Sequence, residues 1–255
     1  MDSLYSSWNN TCKRIVDNKE TEWKRDRDVY GMLEHLPGEY ANVYLDLTLQ
    51  RGIPASAIQK YTSLVDSIGK AGTSAYVRGN DIIDSSTTCL RYLYHAVEIV
   101  DLLVSHSTIP SIVEIGGGYG GLAVAVDFIL TFRKIQGPVQ YTILDLPGPN
   151  KLQKYYTDHF TLNSIRVNVE NGESYGTDLD LPSVFIVSNY CIAEMGDENR
   201  NKYIQTFFTK PSIVGGYMQW NSEAPINLPH TFSTKIEDEH PQTGPNNKTV
   251  VFRKL

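Results

Sequence analysis

Apolar residues along this chain follow two textures that meet near residue 109. In the first part they recur at helical spacing and no convincing strand appears. Leu45 and Leu49, then the segment from Ala55 to Ile68 behind Pro54, predict helices, since proline suits a helix start. Gly69, Gly72 and Gly79, set among Ser, Thr and Asp, predict a loop over 69–86. Over Thr87–Ser105, Leu90, Leu93, Tyr94, Val97, Val100, Asp101 and Val104 mostly place one apolar face toward a partner, which predicts a helix.

From Ile109 onward, short apolar runs alternate with helical segments. Strands are expected at Ser111–Ile115, Val139–Leu144, Ile165–Val169, Val184–Ser188 and Ile213–Gln219. Helices are expected at Tyr119–Lys134, Asn150–Phe160 and Glu198–Thr209. Such alternation implies βαβ units and a mainly parallel sheet with helices on both faces. Thr231–Glu237 and Thr249–Lys254 flank the turn-rich Pro241, Gly244, Pro245 and Asn246 with no room for a helix. They predict an antiparallel hairpin at the sheet edge. The expected division is a helical, substrate-side cap over 1–108 and a cofactor-binding α/β domain over 109–255.

Composition narrows the function. With 41% hydrophobic and 20% charged residues, the 255-residue chain can bury a core and is no disordered polymer. A balance of 23 basic against 29 acidic residues disfavours a general nucleic-acid binder. No apolar run approaches the roughly 18 residues of a membrane helix, and the first residues lack a signal core. A cytoplasmic location is therefore expected, with no membrane partner, and two N-x-Thr matches, at Asn9 and Asn247, are read as chance. Three scattered cysteines, Cys12, Cys89 and Cys191, cannot build a disulfide framework or a cysteine zinc site.

The most informative stretch runs from Val113 to Gly121. Gly116, Gly118 and Gly121 satisfy G-x-G-x-x-G between a β-branched strand and an apolar helix. That pattern provides a tight turn whose backbone can pass close to a cofactor. Two acids accompany it. Glu114 lies inside the strand, where a dinucleotide fold carries a small apolar residue. Asp145 ends the next strand, where a carboxylate can accept from both hydroxyls of a ribose. The blander alternatives are a buried carboxylate capping nearby amides for Glu114 and a turn acid before Pro147 for Asp145.

The arrangement of Glu114, Gly116 and Gly118, with Asp145 after the second strand, resembles motif I and its partner in class I S-adenosylmethionine-dependent methyltransferases. The longer strings VEIGGGYGGLA, YTILDLPGPNKLQKYY, VSNYCIAEM and GGYMQWN resemble a family of sugar O-methyltransferases found in glycan-decorating systems of bacteria and large DNA viruses. The resemblance runs from about Ile109 to the C-terminus. It implies a Rossmann-like sheet, S-adenosyl-L-methionine as cofactor and a sugar or glycan acceptor. It implies that Gly116, Gly117, Gly118 and Tyr119 run beneath the methionine moiety, with Glu114 ordering the loop through its amides. Asp145 would hold the ribose and Leu146 would pack on the adenine. Asn171 would contact the adenine, or else is a turn residue before Gly172. Ser188 and Asn189 would face the transferring methyl.

Methyl transfer to a sugar hydroxyl needs alignment and benefits from a base or a metal that lowers the hydroxyl pKa. Glu194, just past the fourth strand, and His240, in the closing hairpin, are the candidate bases, with His240 preferred. Glu194 could instead start the next helix or bind an Arg. The run Glu237-Asp238-Glu239 offers oxygen ligands for a divalent cation, although no metal is expected and a solvated charged turn is the plain alternative. Sixteen Tyr and three Trp suit the faces and hydroxyl edges of a carbohydrate. Tyr190 and Trp220 are the substrate-side candidates, and Tyr92 and Tyr94 are weaker ones. Two other functions fit parts of the pattern: an NAD-dependent oxidoreductase using the same loop, and a non-catalytic cofactor-binding subunit of a glycan-synthesis complex.

Overall fold

The computed structural model describes residues 3–221 and 225–255, in two compact units. One holds the chain up to Asp101 with Gly118–Gly137 and Pro147–Ser164. The other holds Leu102–Gly117, Pro138–Leu146 and Ile165–Leu255.

The first unit contains α1 (Ser3–Asp17) and α2 (Arg27–Val29), which runs into a π-helical turn at Tyr30–Glu34. Next come α3 (Gly38–Gln50), α4 (Ala55–Ser67), β1 (Ser74–Arg78), β2 (Asp81–Ser85) and α5 (Thr87–Leu103). Two later helices, α6 (Gly121–Phe132) and α7 (Pro147–Thr157), also belong to it. Helix α4 starts directly behind Pro54, as expected. The expected loop over 69–86 is corrected to a β-hairpin. Arg78 pairs with Asp81 across the two-residue turn Gly79-Asn80, and Gly79 takes φ +63°. Tyr76 and Ile83 form its inward pair, whereas Val77 and Ile82 stay exposed. The sequence pattern does not reveal this ribbon because only one apolar residue on each strand, Tyr76 or Ile83, is buried.

The core of this unit is aromatic. The rings of Trp23, Tyr119 and Tyr156 meet edge to face, with Tyr119 centred 5.2 Å from Trp23 and 4.9 Å from Tyr156. Among them lies Lys24, 1% exposed. Its Nζ donates to the carbonyl of Val65 at 3.0 Å and sits 4.9 Å from the centroid of Tyr119. A carbonyl, the aromatic faces and Asp66 at 3.9 Å replace the water such an ammonium would otherwise keep. Helix α6 begins later than its apolar pattern suggests because Gly118 and Gly120 take φ of +56° and +90°.

The second unit is built on seven strands: β3 (Ser111–Ile115), β4 (Val139–Asp145), β5 (Ile165–Asn171), β6 (Val184–Asn189), β7 (Ile213–Trp220), β8 (Phe232–Asp238) and β9 (Lys248–Lys254). Helices α8 (Cys191–Glu194) and α9 (Asp197–Thr206) accompany them. The strand order is β5-β4-β3-β6-β7-β9-β8. Each neighbouring pair from β5 to β7 is parallel, and β9 enters antiparallel between β7 and β8. Chain order reverses direction between β3 and β6, which is the switch point where open α/β sheets bind ligands. The protein is thus α/β with a Rossmann-like, mainly parallel sheet and an antiparallel C-terminal hairpin, as expected from the sequence.

Glycine explains how β9 fits. A Cβ on Gly216 would lie 2.4 Å from the Phe252 ring, its direct partner across the β7–β9 pair. Phe252 therefore occupies space that any side chain at 216 would take. It joins Val113, Ile186, Met218, Trp220 and Phe208 in one buried cluster.

Candidate cofactor and catalytic site

At the carboxyl end of β3 the chain turns sharply. Gly116 takes φ +77°, a left-handed conformation costly for other residues. Its amide donates to the Leu144 carbonyl at 3.0 Å. A Cβ there would lie 2.2 Å from Cys191 Sγ, so the turn is packed against the start of α8. The next amide, Gly117 N, donates to Asp145 Oδ2 at 3.0 Å, and Leu146 N donates to Asp145 Oδ1 at 2.8 Å. Asp145 therefore fixes the loop. A carboxylate has about four lone-pair sites, more than these two amides use. Leu146 beside it is half-buried.

The loop-ordering role expected of Glu114 thus belongs to Asp145. Glu114 projects from the strand interior into a buried site, 2% exposed, where its Oε2 accepts the Tyr141 hydroxyl at 2.9 Å. Burial pushes its pKa up to about 8, the Tyr141 bond opposes that shift, and the charge of Asp145 adds to it.

Asn171 lies directly across the β4–β5 pair from Asp145, but its side chain is used in a turn. Its Oδ1 accepts Glu173 N at 3.1 Å and its Nδ2 donates to Glu173 Oε2 at 3.3 Å. The turn alternative therefore accounts for its observed contacts. Ser188 is buried and tethers β6 to β3, donating to the Ile115 carbonyl at 2.9 Å and accepting Ile192 N at 3.3 Å. Its hydroxyl is used within the sheet rather than offered to a methyl group. Asn189, one residue on, is different: its Oδ1 is buried with no hydrogen-bond partner among the described residues. Such an orphan acceptor requires an explanation, and a ligand donor supplies one.

Tyr190 follows with φ +69°, unusual for a bulky residue. Its amide donates to the Gln219 carbonyl at 2.9 Å, and its hydroxyl donates to Glu239 in a short bond. Glu239 is buried and also accepts Thr243 N at 2.9 Å, Thr243 Oγ1 at 2.8 Å and Asn247 Nδ2 at 2.9 Å. The sequence reading missed this latch between the end of β6 and the hairpin turn, because its partners are nearly fifty residues apart. Of the other acids in that run, Glu237 pairs with Lys235 and Asp238 with Lys248. Among the described residues no group of three or more His, Cys, Asp or Glu could hold a metal ion.

The two candidate bases differ in sheet position. Glu194 ends α8, directly after β6, is exposed, and accepts Asn221 Nδ2 at 2.6 Å. It ends a helix rather than starting one. His240 is exposed beyond β8, four strand positions from β3, and follows Glu239, the latch partner of Tyr190. No carboxylate bonds its ring among the described residues. Trp220, expected on the substrate side, is 2% exposed and lies in the core cluster, so its indole faces packing partners.

In the first unit, Gly118 and Tyr119 continue the loop. Tyr119 is fully buried and its hydroxyl donates to Glu34 Oε1 at 3.0 Å. Its ring belongs to the aromatic core, so the loop can offer a ligand only its backbone at this position. Tyr92 is likewise packed against Tyr119, with ring centroids 5.7 Å apart.

No protein-family profile matches the chain, and no curated protein sequence matches it. Several solved structures resemble it at low identity. A mutant of MtNAS is 13% identical, with 100% of this chain and 99% of that one covered and a TM-score of 0.41. The N-terminal domain of EvdMO1, solved in the presence of SAH and D-fucose, is 9% identical, with 80% and 98% covered and a TM-score of 0.42. An rRNA methylase from Streptococcus thermophilus is 11% identical, with 62% and 95% covered and a TM-score of 0.43. In architecture the protein is a Rossmann-like α/β fold with an antiparallel C-terminal hairpin. Among the described residues no helix is long and apolar enough to cross a membrane.

Proposed function

We propose that this protein transfers a methyl group from S-adenosylmethionine to a hydroxyl of a sugar or glycan. The observation that carries the cofactor reading is the Asp145-anchored glycine turn at the switch point of a sheet whose last strand is antiparallel. In a dinucleotide fold the sixth strand follows the fifth directly, in the order 3-2-1-4-5-6. Here β9 intervenes, which argues against the oxidoreductase alternative. The sugar acceptor rests on the sequence resemblance, and the acidic charge balance supports it over a nucleic acid.

The residues present fit the cofactor. Gly116 and Gly117 expose backbone without side chains, Asp145 has acceptor capacity for ribose hydroxyls, and half-buried Leu146 offers an apolar face for adenine. S-adenosylmethionine supplies an electrophilic methyl on a positive sulfonium, and its neutral thioether product needs no acid. The chain's share of the work is alignment of the acceptor oxygen and removal of its proton. Asn189 Oδ1 is suited to accept a hydrogen bond from the bound acceptor. Glu194 ends α8, just past β6, the strand paired with β3, and receives the proton in this reading. His240, preferred from the sequence, is the second candidate; it lies in the hairpin turn next to Glu239.

Isothermal titration with S-adenosylmethionine and with NAD tests the cofactor assignment. Radiolabelled methyl transfer to a panel of deoxysugar glycosides, with and without a chelator, tests the acceptor and any metal. NAD binding without S-adenosylmethionine binding would reject the proposal. Cofactor binding with label passing only to RNA would reject the sugar.

A further inference from the structure

We infer that β8 is a dimer interface, pairing antiparallel with β8 of a second copy of this chain about a two-fold axis at Ile236. The strand is the last in the sheet order, with β9 on one side and no strand on the other among the described residues. Beyond Phe232 every residue of it is exposed. Its pairing with β9 runs unbroken from Phe232 to Asp238, and the strand contains no proline. Neither a bulge nor a proline therefore guards this edge against another strand.

Ladder parity identifies the open main-chain groups. The Thr231 carbonyl accepts Leu255 N at 3.0 Å, and Glu239 N donates to the Asn247 carbonyl at 3.0 Å. Antiparallel bonds fall on alternate residues, so the odd-numbered residues of β8 bond β9. The N–H and C=O groups of Thr234, Ile236 and Asp238 point the other way, and none has another bond among the described residues. Ile236 is the middle of this open row. A two-fold axis there sets Ile236 against the partner's Ile236 and Thr234 against the partner's Asp238. Each opposed pair then exchanges N–H and C=O.

The side chains obey the same axis. Lys235 and Glu237 share one face of the strand and form an ion pair at 2.7 Å. Across the axis Lys235 falls opposite the partner's Glu237, and Glu237 opposite the partner's Lys235. These are the non-hydrogen-bonded positions, where facing side chains come closest. An axis at Lys235 would instead set lysine against lysine. On the other face, Ile236 is 49% exposed, at a groove it lines with Ile226, Leu228, Phe232 and Thr234. The partner's Ile236 covers it. The complement of this charge pattern is the strand itself, which selects a second copy over an unrelated partner.

Sedimentation of the full chain tests the inference independently of cofactor and acceptor. At about 100 µM, where a micromolar interface is saturated, the wild type should be a dimer. Lys235→Glu and Glu237→Lys should each weaken dimerisation about tenfold or more, because two opposite-charge pairs become like-charge pairs. Two rescues follow. An equimolar mixture of the two variants should dimerise, since every cross-strand pair in the mixed dimer is again opposite in charge. A chain carrying both substitutions should dimerise like the wild type for the same reason. A monomeric wild type would overturn the inference. So would a wild-type dimer that either single variant leaves intact, or the failure of either rescue.

Discussion

Replacing Glu114 by glutamine should make the protein more stable at neutral pH, and more so as pH rises. In the folded chain its pKa is raised from 4.5 to about 8, so the native state holds this proton more tightly than the unfolded chain does. Below about pH 4.5 both states are protonated and the site carries no penalty. Above that, the unfolded chain releases the proton while the folded chain retains it, and stability declines until the folded group also ionises near pH 8. At 1.36 kcal/mol per unit the full penalty is ~5 kcal/mol, and about 3 kcal/mol is already present at pH 7. Glutamine keeps a carbonyl to accept the Tyr141 hydroxyl and cannot ionise, although its new N–H groups offset part of the gain. Urea unfolding of both proteins between pH 5 and 8.5 measures the difference. The variant's advantage should widen by several kcal/mol across that window. Parallel profiles would show that Glu114 does not titrate as its burial requires.

Three further outcomes follow from the site geometry. Asp145→Ala should weaken S-adenosylmethionine by about 1.5–3 kcal/mol in titration calorimetry, because the ribose loses a charged acceptor and Gly117 loses its anchor. Gly116→Ala should cost about 2–4 kcal/mol of stability in denaturant unfolding, combining left-handed strain with the overlap on Cys191; Cys191→Gly in that background should recover the packing part. Once an acceptor is identified, Glu194→Gln should lower turnover about 10²–10⁴-fold with cofactor affinity intact, whereas His240→Ala should leave turnover near normal; the reverse pattern in steady-state assays would return the role to His240.

The sequence alone carried the α/β architecture, because β-branched runs between helical segments leave few ways to bury both faces of a sheet. Gly116 and Asp145 were legible for the same local reason: a turn with positive φ after a strand needs glycine, and an acid at the next strand end lies beside it. Bonding between distant residues was not legible. Glu114 looked like the loop's organiser, yet the side chain that reaches the Gly117 amide comes from the neighbouring strand, and only the β3–β4 register sets that distance. Ser188 and Asn189 are adjacent in sequence and look equivalent, but successive strand residues point to opposite faces. One hydroxyl is spent inside the sheet and one amide oxygen is left without a partner. The hairpin at 74–85 was missed because a two-stranded ribbon needs only one inward residue per strand, too little to register as a hydrophobic pattern. Tyr190 and Glu239, forty-nine positions apart, meet because β8 runs parallel to β6 and ends at the same edge. Strand order, which no local pattern encodes, decided that contact.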